Sequence, residues 1–288
     1  MAVQLIISAD DFGATDQINS AIIRAHREGV LTSAGLMVTG EAAGDAVRLA
    51  KEQPGLAVGL HLALSDARSA LPKSKIPRLV DNHQRFANNP VKAALQYFFD
   101  KEARSQLRLE IAAQFEMFAA TGLELSHVDG HQHMHAHPAV LPVVIELAKE
   151  YGAKGIRVPR DPLWANFAAD RTHIVSKLAV AAGHGYLAAV CRKKLRGCDL
   201  AVCDMAIGSL MSGSMNPDYV INILGRLKAR KLEMFFHPSE SAQPVPFGPN
   251  RGDLETLLEP ALKAFISQGY QLTTYENLAK SEERVGLV

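Results

Sequence analysis

The chain has 288 residues, of which 48% are hydrophobic, and its formal net charge is +1. This length allows a large hydrophobic core, and the nearly neutral charge argues against a nucleic-acid partner. No stretch has the roughly 18 to 20 consecutive apolar residues that a membrane-spanning helix needs, and the first residues do not resemble a secretory signal, so we expect a cytoplasmic protein.

The N-terminal part reads as strands that alternate with helices. Val3–Ser8 is a continuous apolar run, as expected for a strand buried in a parallel sheet, and the carboxylates of Asp10 and Asp11 follow it. Two adjacent carboxylates at the end of a buried strand are costly to desolvate unless a cation lies near them, which predicts a functional role for the pair. The pattern then predicts a helix over 18–28, a strand over 31–39, a helix over 42–53 and a strand over 56–62.

The segment Ser126–Pro138 holds five of the chain's eleven histidines in thirteen residues. Alternating polarity before it indicates a short strand, and Gly130 ends or bends that strand, so that His131 lies at its C-terminal tip. Helical spacing begins after Pro138, which makes the segment a strand-to-helix junction. A surface histidine run is the alternative, and the preceding strand argues against it. One face of the strand carries Leu123, Leu125, His127, Asp129 and His131.

Three of these strand ends together predict a metal site. His61 stands near the end of the third strand in GLHLAL, where a lone histidine is by itself more often a core residue than a ligand. In a parallel barrel, however, Asp11, His61 and His131 would converge at one end. Carboxylate and neutral imidazole are ligands of first-row divalent ions, and three protein ligands with open positions are typical of a catalytic metal. We expect one divalent cation, Zn²⁺ or Mg²⁺, with nickel and cobalt as further alternatives.

The middle of the chain is less regular. Residues 65–90 have no clean period and read as an excursion that serves as a lid or substrate wall. Helical spacing over 91–121 places four phenylalanines in the predicted core: Phe98, Phe99, Phe115 and Phe118. A short strand over 155–159 carries Arg157, which can hold a carboxylate of the site or form a structural ion pair.

The region 161–215 departs from the alternation and reads as an atypical helical region. It contains the only tryptophan, Trp164, and an apolar and basic helical run over 177–197. Such a helix can lie on a membrane, wall an apolar pocket or cover a barrel from outside. The three cysteines lack CxxC spacing, so we expect unreactive thiols rather than a zinc knuckle at Cys191, Cys198 and Cys203. The remaining pattern predicts a helix over 218–230, a strand over 232–236 that leads into His237, a helix over 253–269 and a strand over 270–275.

Four separated blocks, ISADDFG, GLHLAL, HVDGHQHMH and FFHPSE, occur in this order over most of the chain. Together they resemble the motif blocks of the YdjC-type carbohydrate deacetylases. The resemblance implies an α/β fold of the deacetylase type, an irregular TIM-like (β/α) barrel, which we expect as a single domain over 1–288. It also implies a divalent metal held by Asp11, His61 and His131, with Asp10 as general base and His237 as a candidate acid. A capping or core role for His237 stays open.

Further side chains of the junction are candidates for positioning the ligands or the substrate. Asp129 shares a strand face with His131 and suits a carboxylate that orients an imidazole. We assign the same kind of role, at lower priority, to His127, His133 and His135, and we include Arg157 among these supporting residues.

The junction and the region 161–215 most resemble the hopanoid-biosynthesis branch of the family. The resemblance therefore implies removal of the acetyl group from an N-acetylglucosamine attached to a hopanoid lipid. Chitooligosaccharide members carry Ser-His-His-His where this chain has Gly130–His133, so their sugar specificity does not transfer.

Three other functions remain as alternatives. They are a deacetylase for soluble chitooligosaccharides, a metal-dependent phosphoesterase suggested by the HxH pair at 131–133, and a non-catalytic sugar or lipid binding module. The expected partners are an N-acetylated sugar or glycolipid, a membrane surface contacted peripherally, and a second copy of the chain in a homodimer, without nucleic acid.

Overall fold

Eight parallel strands form the centre of the fold in the computed structural model, which describes residues 2–172, 174–243 and 248–286. The order along the sheet is β5-β4-β3-β2-β1-β7-β6, and β8 pairs with the start of β1. All pairings between these strands are parallel, so their carboxyl ends lie at the same edge. The strands are Val3–Phe12 (β1), Ser33–Leu36 (β2), Ala57–Leu62 (β3), His127–Gly130 (β4), Gly155–Ile156 (β5), Met205–Ile207 (β6), Lys231–Phe236 (β7) and Tyr270–Leu272 (β8).

The sheet curls until its outer strands approach each other. Isolated backbone bridges join Gly155 of β5 to Ala201, and Arg160 to Ala206 of β6. The Ala201 carbonyl accepts a hydrogen bond from the Ile156 amide at 3.0 Å. An α/β fold with a curled parallel sheet is thus confirmed. A complete TIM-like barrel goes beyond this arrangement, because the two edges meet through isolated bridges and not through a continuous ladder.

Helices connect the strands and cover the sheet. The first begins after Thr15, whose hydroxyl accepts a hydrogen bond from the Ile18 amide at 3.3 Å and caps the helix, as serine and threonine commonly do. The helices in the described part of the chain are Asp16–Glu28 (α1), Ala43–Lys51 (α2), Pro90–Phe99 (α3), Lys101–Ala120 (α4), Leu141–Glu150 (α5), Leu163–Ala169 (α6), Ile174–Leu195 (α7), Pro217–Leu224 (α8), Arg251–Leu258 (α9), Pro260–Gly269 (α10) and Tyr275–Gly286 (α11).

Two predicted long helices are each divided in the structure. Asp100 has an extended backbone and caps α4 by accepting hydrogen bonds from the amides of Glu102 and Ala103, which ends α3 and starts a new helix. Pro260 has no amide hydrogen and separates α9 from α10. The division at Asp100 also changes which aromatics are buried. Phe115 and Phe118 are in the core as predicted, but the prediction is wrong for Phe98 and Phe99, which are 49% and 73% exposed.

Other element boundaries also differ from the sequence prediction. The first strand continues to Phe12, so the Asp10–Asp11 pair lies inside β1 and not beyond it. The strand predicted over 155–159 is formed only at Gly155–Ile156, and the final strand ends at Leu272 before the unpredicted helix α11. The three-residue strand β6 was also missed, because so short a segment shows no period.

The predicted excursion over 65–90 contains neither a helix nor a strand up to residue 89, where α3 follows, and it packs closely against α4. The buried Glu110 carboxylate accepts hydrogen bonds from the amides of Ala70 and Leu71 at 2.8 and 2.9 Å. Gln106 accepts a third from the Arg78 amide at 2.8 Å. None of the helices described in this structure is long and apolar enough to cross a membrane.

Candidate metal centre and active-site cavity

Asp11, His61 and His131 meet at the carboxyl edge of the sheet. They come from β1, from β3 and from the position just after β4, and their donor atoms all lie within 4.8 Å of one another. The Asp11 Oδ1 atom is 2.9 Å from His131 Nδ1 and 3.4 Å from His61 Nε2. The structure therefore brings together the three residues that the sequence predicted as metal ligands.

Asp10 and Asp11 both reach this region because β1 is irregular. Successive side chains of a regular strand point to opposite faces. Here the pairing register of β1 with β2 shifts between Ala9 and Phe12, and Asp11 has a φ of 64°, which is unusual for a residue with a side chain. This local distortion gives the two adjacent carboxylates different partners at the same edge.

His61 is held in one orientation by Asp129. Its Nδ1 atom lies 2.9 Å from Asp129 Oδ1, which suits an N–H donor and places Nε2 on the Asp11 side. Carboxylates commonly orient metal-binding imidazoles in this way. The arrangement also requires glycine at position 35, since a Cβ there would lie 2.9 Å from Asp129 Oδ1 and 3.0 Å from His61 Nδ1. Asp129 thus has the supporting position that the sequence predicted.

Asp10 is held by the fully buried guanidinium of Arg157. The two groups form a bidentate contact with both N–O distances at 2.8 Å. The same guanidinium makes ion pairs with Asp129 at 2.8 Å and with Glu233 at 3.0 Å. Arg157 therefore forms a structural ion-pair network and also holds a carboxylate of the site. Both of the roles considered for it from the sequence apply to the same guanidinium.

The charges of the site favour a cation. The Arg157 guanidinium pairs with Asp10, Asp129 and Glu233, and Asp11 adds a fourth carboxylate beside the two imidazoles, which leaves an excess of negative charge. Burial opposes ionisation of Asp11, but His131 and His61 lower the pKa of its carboxyl well below the usual range. Burial opposes protonation of His61, yet Asp129 and Asp10 raise its pKa well above the usual range. The carboxylates that favour a positive charge on His61 also favour a divalent cation, and the donor set of two imidazoles and one carboxylate fits zinc.

His237 follows β7 and lies beside Asp10. Its Nε2 atom is 3.8 Å from Asp10 Oδ2, and its backbone amide donates to Asp253 Oδ2 at 2.8 Å. Its Nδ1 atom is 3.5 Å from the Ser212 hydroxyl. The imidazole therefore lies at the same cavity as the Asp10 carboxylate, close enough to serve the same reaction.

These groups open into a cavity of about 610 Å³. Its wall includes the 3₁₀ segments His131–Ala136 and Ser209–Met211, parts of α7 and the start of the excursion at Asp66. The polar residues of the wall are Asp10, Asp11, His61, Asp66, His131, Gln132, His133, His184, Ser209, Ser212 and His237.

The remaining histidines of the junction have different positions. His133 lines the cavity and lies 3.0 Å from the Ser209 hydroxyl through its Nε2 atom. His135 is buried and donates from Nε2 to the Arg157 carbonyl at 3.0 Å, so it supports the segment that carries the guanidinium. His127 does not line the cavity, and its ring stacks on Tyr275 with the centroids 5.0 Å apart.

Glu233 and His184 are among the residues of the site that were not found from the sequence. Glu233 interrupts the apolar strand LEMFF and shares its face with Phe235 and His237, so period-two alternation could have indicated an inward carboxylate. His184 lies in the middle of α7, where neither a strand end nor a neighbouring acid marks it in the sequence.

Several carbohydrate deacetylases are similar to this chain in sequence. A 150-residue alignment with a carbohydrate deacetylase of Brevibacillus brevis has 45% identity and covers 52% of this chain and 57% of that relative. A carbohydrate deacetylase of Geobacillus stearothermophilus is 29% identical over 96% of this chain and 98% of its own length. A third, from Vibrio parahaemolyticus, is 27% identical over 99% and 100%.

A solved structure has the same fold as this chain, and the sequence profile of a family matches most of its residues. The crystal structure of an Enterococcus faecalis protein named for cellobiose-phosphate cleavage superimposes with a TM-score of 0.72, at 24% identity, over 96% of this chain and 99% of that chain. The profile of the family described as YdjC-like protein matches residues 4–268. This match spans most of the sequence, and the chain therefore belongs to the YdjC-like protein family.

Proposed function

We propose that this chain is a metal-dependent hydrolase that removes the N-acetyl group from an N-acetylglucosamine unit of a glycosylated hopanoid lipid. The observation that carries the reaction type is the meeting of Asp11, His61 and His131 beside Asp10 and His237. Relatives aligned over nearly the whole chain are named carbohydrate deacetylases, which supports an acetylated sugar as the substrate.

Asp11, His61 and His131 would hold the cation. When bound, a divalent ion supplies a Lewis acid for the acetyl oxygen and lowers the pKa of a water molecule toward neutrality. Two imidazoles and one carboxylate favour Zn²⁺, whereas Mg²⁺ usually prefers oxygen ligands and retains several waters.

Asp10 and His237 would move the protons. The Arg157 guanidinium orients the Asp10 carboxylate, and each carboxylate oxygen retains lone-pair capacity to accept a proton from the attacking water. His237, with its Nε2 atom 3.8 Å from Asp10, would donate a proton to the nitrogen of the leaving amine. The amide bond breaks as the water oxygen bonds to the acetyl carbon, which releases acetate and a free amino sugar.

The surface of α6 and α7 supports the lipid part of the proposal. Trp164, Val175 and Leu178 are 59%, 81% and 47% exposed, which is unusual for large apolar side chains so close in the chain. Val180 of the same helix α7 lines the cavity. An apolar substrate tail could leave the cavity along this helix, and a peripheral contact with a membrane would cover the same side chains.

The phosphoesterase alternative has less support. In a phosphoesterase with an HxH pair, both histidines of 131–133 would bind metal. Here His131 faces Asp11, whereas His133 faces Ser209 and is absent from the donor groups found among the described residues.

Mass spectrometry of a hopanoid N-acetylglucosaminide, incubated with zinc-loaded protein, tests the proposal. We expect a loss of one acetyl group, little turnover of soluble chitooligosaccharides, and loss of most of the activity with Asp10→Asn. Equal turnover of soluble chitooligosaccharides would remove the lipid from the proposal. Metal binding without deacetylation of either substrate would indicate a non-catalytic binding module instead.

A further inference from the structure

One part of the cavity wall has no role in the metal centre. It consists of His133, His184 and Ser209, which come from the 3₁₀ segment after β4, from α7 and from the 3₁₀ turn after β6. His133 Nε2 lies 3.0 Å from the Ser209 hydroxyl, and the rings of His133 and His184 meet edge to face with centroids 4.9 Å apart. Three separate elements thus converge on one polar patch.

The backbone holds His133 in this position by an uncommon conformation. Gln132 and His133 have φ values of 52° and 56°, in the left-handed region that residues with side chains seldom occupy. A contact from the excursion holds the turn, because the Ser65 hydroxyl donates to Gln132 Oε1 at 2.7 Å. Such strained residues cluster at functional sites, and His133 has this conformation although it is not among the donor groups for the metal.

The patch has unused hydrogen-bonding capacity. Among the described residues, His184 has no hydrogen-bond partner for either ring nitrogen, and the Nδ1 atoms of His133 and His184 are both buried without one. Buried polar atoms in proteins are nearly always paired with protein, water or ligand. His184 lines the cavity, and its Nε2 atom, which is not among these buried atoms, can pair with a polar ligand there.

The charge of the cavity limits the kind of ligand. Its described wall contains the carboxylates of Asp10, Asp11 and Asp66 and no lysine or arginine. The guanidinium of Arg157 is fully buried and paired with three carboxylates, so it is unavailable to a substrate anion. The described wall thus offers a phosphate group no cationic side chain, whereas the hydroxyl groups of an uncharged sugar can both donate and accept hydrogen bonds here.

From these observations we infer that His133, Ser209 and His184 form a subsite for the hydroxyl groups of an uncharged sugar, and that the protein selects such sugars against sugar phosphates. This inference rests on the proposed function for the identity of the acetylated sugar. It concerns binding, however, and can be tested in protein that does not turn over.

Calorimetric binding to Asp10→Asn protein is the experiment, with N-acetylglucosamine and N-acetylglucosamine 6-phosphate as probes. We expect the uncharged sugar to bind at least about tenfold more tightly than the phosphate. Adding His184→Leu should weaken binding of the uncharged sugar about tenfold, the loss expected when one good hydrogen bond is removed. His184→Gln should restore part of it. Tyr186→Leu, an exposed position on the same helix that does not line the cavity, is the matched control and should bind like Asp10→Asn alone.

Several results would overturn the inference. They are undetectable binding of N-acetylglucosamine, equal or tighter binding of the phosphate, or unchanged affinity in the His184→Leu protein. Melting temperatures of all variants distinguish loss of the subsite from loss of the fold, and chelator-treated wild-type protein repeats the probe comparison without the Asp10 substitution. Because binding is measured apart from turnover, a protein that binds the sugar but does not deacetylate it contradicts the proposed function and leaves the subsite intact.

Discussion

Asp10 and Asp11 are adjacent in the chain, but their environments assign them opposite tasks. Asp11 faces two imidazoles, at 2.9 and 3.4 Å, and Asp10 faces a guanidinium through two bonds of 2.8 Å. The first environment suits a metal ligand, and the second suits an oriented base. The irregularity of β1 at Asp11 allows two neighbouring residues to divide these tasks.

Replacement of Asp10 by asparagine tests this division. Asparagine keeps the size of the side chain but is not a base, so we expect kcat to fall by about a hundredfold or more, as is typical when a general base is lost. Metal content, measured by elemental analysis, should stay near that of the wild type, because Asp10 is not one of the three predicted ligands. Loss of metal in proportion to activity would mean that the roles of the two aspartates are exchanged.

The buried imidazole of His135 should make the stability of the protein depend on pH. Burial lowers the pKa of this imidazole to about 4; the Asp129 charge and the hydrogen bond to the Arg157 carbonyl oppose the shift, and the charges of Arg157 and His61 add to it. Its ring also contacts that of His133. Above the ordinary histidine pKa of about 6.5 the ring is neutral in both states and stability is complete. As pH falls from there toward 4, the unfolded chain binds a proton that the folded protein excludes, so stability is lost.

Urea unfolding at pH 7 and pH 5, in the presence of a chelator, measures this effect. His135 should account for a loss of roughly 2 kcal/mol between the two pH values. The His135→Gln variant can still donate to the Arg157 carbonyl and should lose that much less stability over the same interval. An identical pH dependence in both proteins would show that His135 titrates normally in the fold.

At the level of elements, the excursion over 65–90 is held to α4 by one buried acid. Glu110 binds two excursion amides and the Gln114 side chain, and burial raises its pKa. The segment contributes Asp66 to the cavity wall, and its Ser65 hydroxyl supports the turn that presents His133. The order of this loop is thus coupled to the shape of the cavity.

Glu110→Ala should loosen the excursion. Two amides lose their acceptor, which we expect to cost about 2 to 3 kcal/mol and to expose residues 65–90 to limited proteolysis. KM for the acetylated substrate should rise more than kcat falls, because the cavity wall moves while the metal ligands stay. The control is Glu116→Ala on the same helix, an exposed position that should resist protease like the wild type. Equal protection of both variants would remove Glu110 as the anchor.

Prediction from sequence succeeded where an element has a strong local pattern. The ends of β1 and β3 and the histidine junction marked Asp11, His61 and His131, because a polar residue at the tip of a buried strand stands out. Prediction failed where tertiary contacts determine the boundaries of an element or the position of a side chain. The capping bonds of Asp100 divide a continuous helical pattern, and β6 exists through pairing with β7. Similarly, His184 reaches the cavity only because α7 packs near the 3₁₀ segment that carries His133.

For the whole molecule, the parallel sheet explains why residues 120 positions apart can share one ion. Strands β1 to β4 are successive neighbours, and their carboxyl ends carry Asp11, His61, Asp129 and His131 at one edge. The Arg157 network then ties β1, β4 and β7 together from inside the sheet. Any cation at this edge would join the same strands, so metal binding should stabilise the fold as a whole.

Removal of the metal should therefore lower the stability of the whole fold. A ligand that binds only the folded protein, present at a hundred times its Kd, adds about 2.7 kcal/mol, which corresponds to a rise of several degrees in Tm for a chain of this size. We expect chelator to lower Tm by that amount and Zn²⁺ to restore it, as measured by scanning calorimetry.

The His131→Ala variant tests whether the ion lies at the predicted ligands. It removes one of three ligands and should reduce the zinc-dependent rise in Tm. Its Tm in chelator should stay within a few degrees of the wild type, because His131 is partly exposed. His26→Ala, on α1 and outside the cavity, should retain the full zinc response. An undiminished rise in the His131→Ala protein would place the ion elsewhere and separate the carboxyl edge of the sheet from the metal.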